Sequence, residues 1–388
     1  MKIIVFGDFS GYTKQFSDYF DNNGSSDLFG DLVPILKEHC LNVYHQEFPL
    51  TSSDKRYAAK LSGPFIKCNP KAAACLGKAV FHVATFASNH TLNYGETGLY
   101  DTIDNLTRVG IDVIGAGNTK EKAKEPYFYE KDGIKICILN YAETQFNLAT
   151  GDHGGANPLD IIDNVGDIKR CKELVDHVIV IIHGGPDFCP YPSPRMVKQY
   201  RFYIDSGASA VINHHQHVVA GYEAYNGKPI FYGIGSVVPG KIIVPGCKEG
   251  LGISLNIQKD NIAWEIIPLR FNLSQMRQEV LTGEHKKEFM DNLEEVSVAI
   301  YDPIELKKKY GGFLDQSWRK TDYIVSFSGF SRLSFRIAKK LGVDHQLSGL
   351  SKYNSFKKKA RHGAFWNLIR CETHQDALRH YFESDIDT

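Results

Sequence analysis

The stretch that decides the fold is AVFHVATFASNHTLNYGETGLYDTIDNLTRVG, residues 79–110. It begins with an apolar run, Ala79–Ala87, that is typical of a buried strand. A polar turn, Ser88–His90, follows directly. Apolar residues then recur at helical spacing and predict a helix over about Glu96–Val109 that ends at Gly110. A strand, a turn and a helix in this order form the repeating unit of α/β sheets.

The same alternation of apolar runs and helical patterns extends over residues 1–271 and predicts an α/β fold. A second clear helix covers Arg195–Ser206 and is closed by Gly207. The last two predicted strands alternate apolar and polar residues, so we expect them to be antiparallel. The predicted strands are Lys2–Asp8, Ala79–Ala87, Asp112–Gly115, Lys135–Ala142, His177–Ile182, Ala210–Ile212, Pro229–Gly233, Leu251–Ile257 and Ile262–Leu269.

From residue 272 the sequence changes to polar, helix-favouring segments. We therefore divide the chain into a domain of residues 1–271 and a helical extension of residues 272–388. Residues 301–388 hold 16 Lys and Arg against 10 Asp and Glu, so 16 − 10 gives +6. A solvated helical face explains this charge, and docking on an acidic partner is the alternative. The predicted helices of the extension are Asn272–Val298, Ile304–Tyr310, Ser331–Leu341 and Lys357–Phe382.

Composition excludes several classes of protein. The 388 residues include 45 Lys and Arg against 45 Asp and Glu, so the formal net charge is 45 − 45 = 0, which argues against a general nucleic-acid binder. No stretch reaches the roughly 18 uncharged apolar residues of a transmembrane helix. The opening residues MKIIVFGD lack the pattern of a signal peptide, so we expect a cytoplasmic protein. The eight cysteines form no CxxC pair, which favours reduced, buried thiols.

Polar residues of metal-binding type stand at the ends of the predicted strands. Asp8, Asn89-His90, His183 and the pair His215 and His217 each follow or end an apolar run. Because loops at the carboxyl edge of an α/β sheet converge on one crevice, we expect these side chains to meet. Taken singly, each has an ordinary explanation, such as a helix cap, a turn or a surface histidine. The neighbouring His214 has the opposite parity to His215 and His217, and we expect it to be structural or to support the ligands from behind them.

The order of these residues along the chain resembles that of the calcineurin-like metallophosphoesterases. A more specific resemblance, from residue 2 to about residue 270, is to the poly-gamma-glutamate synthesis or capsule biosynthesis (CapA) family within that superfamily. The resemblance implies a layered α/β/β/α sandwich. The landmarks that carry it are Gly7-Asp8, Glu47–Thr51 (EFPLT), Ser88–Thr102 (SNHTLNYGETGLYDT), Gly115–Gly117, His183–Gly185, Asp205–His217 and Tyr225–Gly235.

The resemblance also implies a set of metal ligands. It places Asp8 and His217 on one ion, Glu47 between two ions, and Asn89, His183 and His215 on the other. Nitrogen and oxygen ligands without thiolate suit Mn, Fe or Zn, as one or two divalent ions. Two such ions would activate a water and hold a phosphoryl group for attack.

This sequence departs from the superfamily pattern at one position and from the family pattern at three. Ser10 stands where phosphoesterases usually have a histidine ligand, which this family usually lacks as well, and Ser236 replaces a family asparagine. His45 precedes Glu47 by two residues and is a candidate for the missing ligand. Asn93 replaces the aspartate that follows His90, so a carboxylate that could hold His90 as imidazolium is absent.

Further residues have expected roles near the site. His90 is the candidate proton donor to a leaving oxygen. Arg195 is either an anion clamp or a surface residue at a helix N-terminus. Asp187 and Tyr191 belong to a loop that we expect to wall the cleft.

Two functions follow. The first is a metal-dependent hydrolase acting on a phosphoester or related bond in the synthesis of a cell-surface polymer. The second is a non-catalytic metal-binding partner of a polymer synthase, docked through the basic extension. The ligand would be an anionic, glycan or peptide precursor of the polymer. A nucleotide-binding protein is disfavoured, because no glycine-rich phosphate loop follows any predicted strand.

Overall fold

The computed structural model describes residues 1–22, 26–317 and 365–386. Within these residues two β-sheets pack face to face, and helices cover their outer faces. The four layers and the helical C-terminal region confirm the predicted α/β/β/α fold class. None of the described helices combines the length and the hydropathy that a bilayer crossing requires.

The bounds of the described elements are as follows. The strands are β1 (Lys2–Phe9), β2 (Leu41–Gln46), β3 (Val83–Thr85), β4 (Asp112–Ile114), β5 (Ala116–Gly117), β6 (Tyr127–Lys131), β7 (Ile134–Ala142), β8 (Gly155–Ala156), β9 (His177–His183), β10 (Ala210–His214), β11 (Val219–Tyr225), β12 (Lys228–Ile234), β13 (Ser236–Val238), β14 (Glu249–Ile257), β15 (Ile262–Asn272) and β16 (Arg277–Val280). The helices are α1 (Lys14–Asn22), α2 (Leu32–Glu38), α3 (Ala72–Lys78), α4 (Gly95–Thr107), α5 (Lys120–Ala123), α6 (Ile161–Lys172), α7 (Pro194–Asp205), α8 (Gly283–Val298), α9 (Pro303–Ser317) and α10 (Glu372–Ile386). Residues 365–370 are also helical, and 3₁₀ turns cover Ser26–Phe29, Pro245–Lys248 and Ala299–Tyr301.

The first sheet has the strand order β16-β15-β14-β1-β2-β3-β4, and β13 also pairs with β1. Strands β1 to β4 are parallel, whereas β14, β15 and β16 are antiparallel to their neighbours, as expected for β14 and β15. The register places Asp8 beside His45 and His45 beside Thr85. Three polar side chains therefore stand in one row near the carboxyl ends of their strands.

The second sheet has the order β11-β12-β10-β9-β7-β6. Strands β7, β9, β10 and β12 are parallel, and β6 and β11 are antiparallel edge strands. His183 at the end of β9 lies in register with His214 at the end of β10. A second row of polar side chains is thus formed.

The core lies in three layers, and β9 shows how the sequence builds them. All seven residues of β9, HVIVIIH, are buried. Ile179 and Ile181 pack between the two sheets, while Val178 and Val180 pack under α6 and α7 on the other face. A strand covered on both sides is apolar on both sides, which explains its continuous apolar run.

The structure differs from the predicted elements in three places. Strand β2 was not predicted, because its sequence LNVYHQ has polar residues that are nonetheless buried. Strand β16 lies inside a segment predicted to be helical and pairs with β15, so the first sheet continues past residue 271. Only Val83–Thr85 of the predicted strand Ala79–Ala87 is extended, since Val80 has a left-handed backbone (φ 70°) just after α3.

The described part of the extension packs on the sandwich. Helix α8 lies against β11, where the backbone amide of Tyr222 donates to Ser297 Oγ at 3.0 Å. Tyr310 and Leu314 of α9 form an apolar cluster with Ala377 and Tyr381 of α10. The predicted helix Ser331–Leu341 lies outside the described residues.

Candidate metal centre

The two polar rows meet between the sheets. Asp8 and His45 from the first sheet face His183 and His214 from the second, and one ligand atom from each lies within 4.8 Å of the others. Asp8 Oδ1 is 3.3 Å from His214 Nδ1 and 3.7 Å from His183 Nδ1. All four side chains are buried, at 0 or 1% exposure. Strand register and sheet stacking together therefore form this group.

A second group consists of Asp8, Glu47 and His217. His217 Nδ1 lies 3.5 Å from Asp8 Oδ2, and His217 Nε2 lies 3.2 Å from Glu47 Oε1. The Ser10 hydroxyl donates to the other oxygen of Glu47. Asp8 is thus the carboxylate common to both groups, whereas the family resemblance gives the bridging position to Glu47.

Asn89, His183 and His215 form a connected set beside Asp8. His183 Nε2 lies 3.1 Å from Asn89 Oδ1 and 2.9 Å from His215 Nδ1. The backbone amide of His215 donates to Asp8 Oδ2 at 3.1 Å. All six predicted ligands, together with His45 and His214, therefore lie in one place, which we call the strand-end cluster. Its members are Asp8, His45, Glu47, Asn89, His183, His214, His215 and His217.

The turn that carries His215 and His217 is strained. Both residues have left-handed backbone angles, with φ of 96° and 57°. Such angles are unfavourable for non-glycine residues and concentrate at functional sites. In this turn His217 faces Asp8 and His215 faces His183, as expected for two histidines separated by one residue.

The donor atoms fit a metal ion. Four buried atoms of the cluster have no hydrogen-bond partner: Asp8 Oδ1, Glu47 Oε1, His45 Nε2 and His214 Nε2. Buried polar atoms are normally paired, so four unpaired ones within one cluster require an explanation. A cation bound by carboxylate and imidazole would supply it, and Mn, Fe or Zn suits this mixture of ligands.

The pKa shifts within the cluster favour charged side chains in one part and neutral side chains in the other. Burial raises the pKa of Asp8, but its contacts with His183, His214 and His217 outweigh burial and hold that pKa well below its usual range. Burial alone would lower the pKa of His217, yet Glu47 and Asp8 raise it well above its usual value. Asp8, Glu47 and His217 thus form a charged unit.

The histidines between the sheets behave differently. Burial lowers the pKa of His183 well below its usual value, and the neighbouring His215 adds to the effect. Burial, with His214 and His183 nearby, does the same for His45. Neutral imidazoles result, and a neutral ring nitrogen is the form that binds a metal.

His90 lies beside the cluster and lines a cavity of about 420 Å³. The Asn93 amide orients it: Asn93 Oδ1 accepts from Lys60 Nζ, so the Asn93 NH₂ group donates to Ile66 O and to His90 Nδ1 at 2.9 Å. With Nδ1 accepting, the ring proton of neutral His90 is on Nε2. Burial, reinforced by Lys60, lowers the pKa of His90 well below its usual value.

The cavity opens over the strand-end cluster. Asp187, predicted as part of its wall, lines it and lies 3.4 Å from His215 Nε2. Tyr191 instead packs against the apolar clusters under α7 and α10. Other lining residues include Ser10, Tyr12, Glu47, Phe48, Lys60, Asn89, Glu143, Phe188, Ser236 and Lys241.

Arg195 has a different position from the one expected of an anion clamp. Its guanidinium donates to Glu143 Oε1 and to Asp376 Oδ2, each at 2.8 Å, and to Gln199. Its side chain is only 17% exposed. The clamp interpretation is therefore replaced by a buried link between the core and α10.

The residues of the cluster also lie within the part of the chain that matches a known protein family. The model of the family described as "Bacterial capsule synthesis protein PGA_cap" matches residues 2–241, which include the whole strand-end cluster. This chain belongs to the capsule synthesis protein family. The family assignment expected from the sequence is confirmed.

Three curated relatives match between 40% and 56% of the chain. The PGA biosynthesis protein CapA of Bacillus subtilis is 28% identical over 221 residues, 56% of this chain and 58% of that protein. The capsule biosynthesis protein CapA of Bacillus anthracis is 26% identical over 55% of this chain and 54% of that protein. A "Probable polyglutamine synthesis accessory protein" of Mycobacterium tuberculosis is 30% identical over 40% of this chain and 45% of its own length. The chain therefore spans about half the length of the curated relatives it matches.

One side of the cavity lies outside the family match. Asn367, Cys371, Thr373 and His374 line the cavity from the C-terminal region, and we call them the helical wall. Thr373 Oγ1 donates to Glu143 Oε2 at 2.6 Å. The carboxylate of the neighbouring Glu372 accepts from the backbone and the hydroxyl of Thr144, at 2.8 and 3.0 Å. The extension thus completes the cavity.

Several residues of the site were missed from the sequence. His214 was not expected to be a ligand because of its parity, but the register of β10 places it in the cluster. Lys60 stands in a polar loop without any motif, and the helical wall lies more than 130 residues from the last family landmark. No local pattern could have identified these two. Ser10 was identified only as a departure from the family pattern.

Proposed function

We propose that this member of the capsule synthesis family is a metal-dependent hydrolase, acting on a phosphoester or related bond in the synthesis of a cell-surface polymer. The observation that carries the proposal is the set of buried atoms without a hydrogen-bond partner on Asp8, Glu47, His45 and His214. Of these residues Glu47 lines the cavity, and the other three lie behind it between the sheets. A structural core would pair or omit such atoms. The family name, together with those of its Bacillus relatives, gives the polymer context.

The residues of the strand-end cluster would hold one or two divalent ions of Mn, Fe or Zn. Ions held there would supply Lewis acidity towards a phosphoryl oxygen and a more acidic water. Asp8 would be a ligand shared by both groups. Glu47 and His217 belong to one group, and His45, His183 and His214, which lie between the sheets, belong to the other.

His90 and the enclosure of the cavity would serve the substrate. The Nε2–H of neutral His90 can donate to an oxygen of the bond that breaks, while Asn93 holds the ring through Nδ1. The helical wall and Phe188 line the cavity in which the substrate would bind. The bound precursor would be anionic, with glycan or peptide parts extending outward.

The test is turnover of phosphate esters by the metal-loaded protein. Mn- or Zn-loaded wild type should hydrolyse bis(p-nitrophenyl) phosphate or p-nitrophenyl phosphate, and Asp8→Asn should lose both metal and turnover. Asp21→Asn removes an exposed carboxylate far from the cluster and should behave as wild type. Metal-loaded wild type without turnover on any phosphoester would contradict the hydrolase proposal.

His90→Gln separates chemistry from metal binding. It should lower kcat by about 10²–10³-fold, the usual cost of removing one positioned hydrogen-bond donor from a developing oxyanion, with wild-type metal content. Unchanged kcat in His90→Gln would remove His90 from the mechanism but leave the metal site intact.

A non-catalytic metal-binding role is the second candidate. It is favoured by Ser10 and Ser236, which replace family ligands or nearby amides at the edge of the cluster. Under this role the protein would assist a polymer synthase, and the extension would be the docking element. Most Lys and Arg residues of that basic segment lie outside the described residues. Full metal occupancy with no hydrolysis would support this second role.

A further inference from the structure

Lys60 is a buried cation on the wall of the cavity. It is 8% exposed and lies in the loop between β2 and α3. Its Nζ donates to Asn93 Oδ1 and lies 5.5 Å from the centre of the Phe65 ring. In the part of the chain that the structure describes, no carboxylate forms an ion pair with it.

A buried ammonium without a carboxylate is costly. Taking the charge out of water is unfavourable by several kcal/mol unless a paired anion compensates. One amide oxygen and one aromatic face satisfy only part of a group with three donors. Burial accordingly lowers the pKa of Lys60 to about 8, so the side chain stays mostly protonated at neutral pH.

The surroundings distinguish Lys60 from the neighbouring Lys67. Lys67 Nζ donates to Asp54 Oδ1 at 2.8 Å and to two backbone carbonyls, and it lies outside the cavity. Lys60 lines the cavity together with His90 and four members of the strand-end cluster, Glu47, Asn89, His215 and His217. Of Lys60 and Lys67, the lysine without a carboxylate partner is therefore the one at the cavity.

We propose that Lys60 binds an anionic oxygen group of the substrate, either a phosphoryl group or a carboxylate, beside His90. The proposal rests on the proposed function in one respect: the anion belongs to the molecule processed at the strand-end cluster. Asn93 links the two sides of the subsite, since its oxygen holds Lys60 and its NH₂ group holds His90. Binding of the anion would complete the hydrogen bonding of Nζ and would place the adjacent bond near His90.

The test measures anion affinity by calorimetry, with inorganic phosphate and with glutarate as separate probes. Each titration is done on metal-free and on Mn-loaded full-length protein. Lys60→Met should weaken binding of the preferred probe by about 10-fold or more, as expected when a charged hydrogen bond is lost. Lys67→Met is the matched control and should bind as wild type. The probe that binds more tightly identifies the class of anion.

A stability measurement excludes a merely structural role. If Lys60 is kept for binding, Lys60→Met removes an uncompensated buried charge, and its Tm should equal or exceed that of wild type. Wild-type affinity in Lys60→Met, or no binding of either probe by wild type, would overturn the proposal. Failure of wild type to bind any metal would instead contradict the proposed function, since the anion titration of the metal-free protein is read independently.

Discussion

The two sides of the cavity differ in how their polar groups are satisfied. The strand-end cluster leaves four buried donor or acceptor atoms without partners. On the opposite side, the carboxylates beside the helical wall are paired: Glu372 with Thr144, and Asp376 with Ser193 and Arg195. Asn367 Oδ1 of the helical wall is also without a partner, so the difference between the two sides concerns their carboxylates. Those of the cluster fit a metal-binding role, whereas those beside the wall hold α10 on the core.

The two sides also differ in their place along the chain. The cluster lies within residues 2–241, the part that matches the capsule synthesis family. The helical wall comes from residues 367–374, beyond the match. The candidate metal ligands therefore lie in the part of the chain that the family shares, and the helical wall lies beyond that part.

The largest expected effect comes from Asp8→Asn. Asp8 belongs to both ligand groups, so the substitution should weaken binding of both ions by about 100-fold or more, beyond the 10–100-fold typical of outer-shell changes. Metal titration with Mn or Zn measures the effect. His45→Ala should weaken metal binding only in the group of Asp8, His45, His183 and His214. His217→Ala should weaken it only in the group of Asp8, Glu47 and His217. Equal loss in all three variants would contradict a two-group site.

The next effect separates stability from chemistry. Arg195→Met leaves Glu143 and Asp376 buried without their guanidinium, which should cost about 3–5 kcal/mol of unfolding free energy. Urea denaturation measures the loss, and metal content per folded protein should stay at the wild-type value. Lys287→Met breaks an exposed pair with Asp291, and the unfolding free energy should stay close to that of wild type. Loss of metal from folded Arg195→Met would contradict the conclusion that Arg195 stabilises the fold without contributing to the metal centre.

The smallest effect is a pH dependence of the helical wall. Burial, with Glu143 nearby, raises the pKa of Glu372 from 4.5 to about 7 in the folded protein. The folded state therefore holds this proton more tightly than the unfolded chain does. The stability from Glu372 is fully present below about pH 4.5 and is lost as pH rises through about 7.

Hydrogen exchange of residues 372–386 tests this dependence. Protection, corrected for intrinsic exchange, should be higher at pH 5.5 than at pH 8. Glu372→Gln keeps an acceptor for Thr144 but does not titrate, so it should remove the pH dependence. A wild-type helix with the same protection at both pH values would contradict the assignment to Glu372.

Much of the fold could be predicted from the sequence because buried parallel strands leave continuous apolar runs. Strands β7, β9 and β12 matched their predicted runs within a few residues. Strand β2 could not be predicted, since Asn42, His45 and Gln46 interrupt its apolar pattern. Those polar residues are tolerated inside because neighbouring strands and the cluster give them partners, which is information from tertiary structure.

The site shows the same limit. The positions of Asp8, Asn89, His183 and His217 were enough to predict that they meet. Each ends or follows a strand, and loops at the carboxyl edge of an α/β sheet converge on one crevice. The place of His214 depends on the register of β10 with β9, and that of Thr373 depends on how α10 packs. Contacts between distant segments of this kind have no local pattern. The residues of the cluster could therefore be predicted from the sequence, but those of the helical wall could not.

The most direct test of the central claim is the metal content of the purified protein after loading with Mn or Zn. Elemental analysis would compare wild type with the double variant His183→Ala and His215→Ala. Two tightly bound equivalents in wild type, of which the double variant loses the one held with the histidines between the sheets, are the predicted result. A wild type without specific metal, or a double variant that keeps both equivalents, would contradict the assignment of the strand-end cluster as the metal centre.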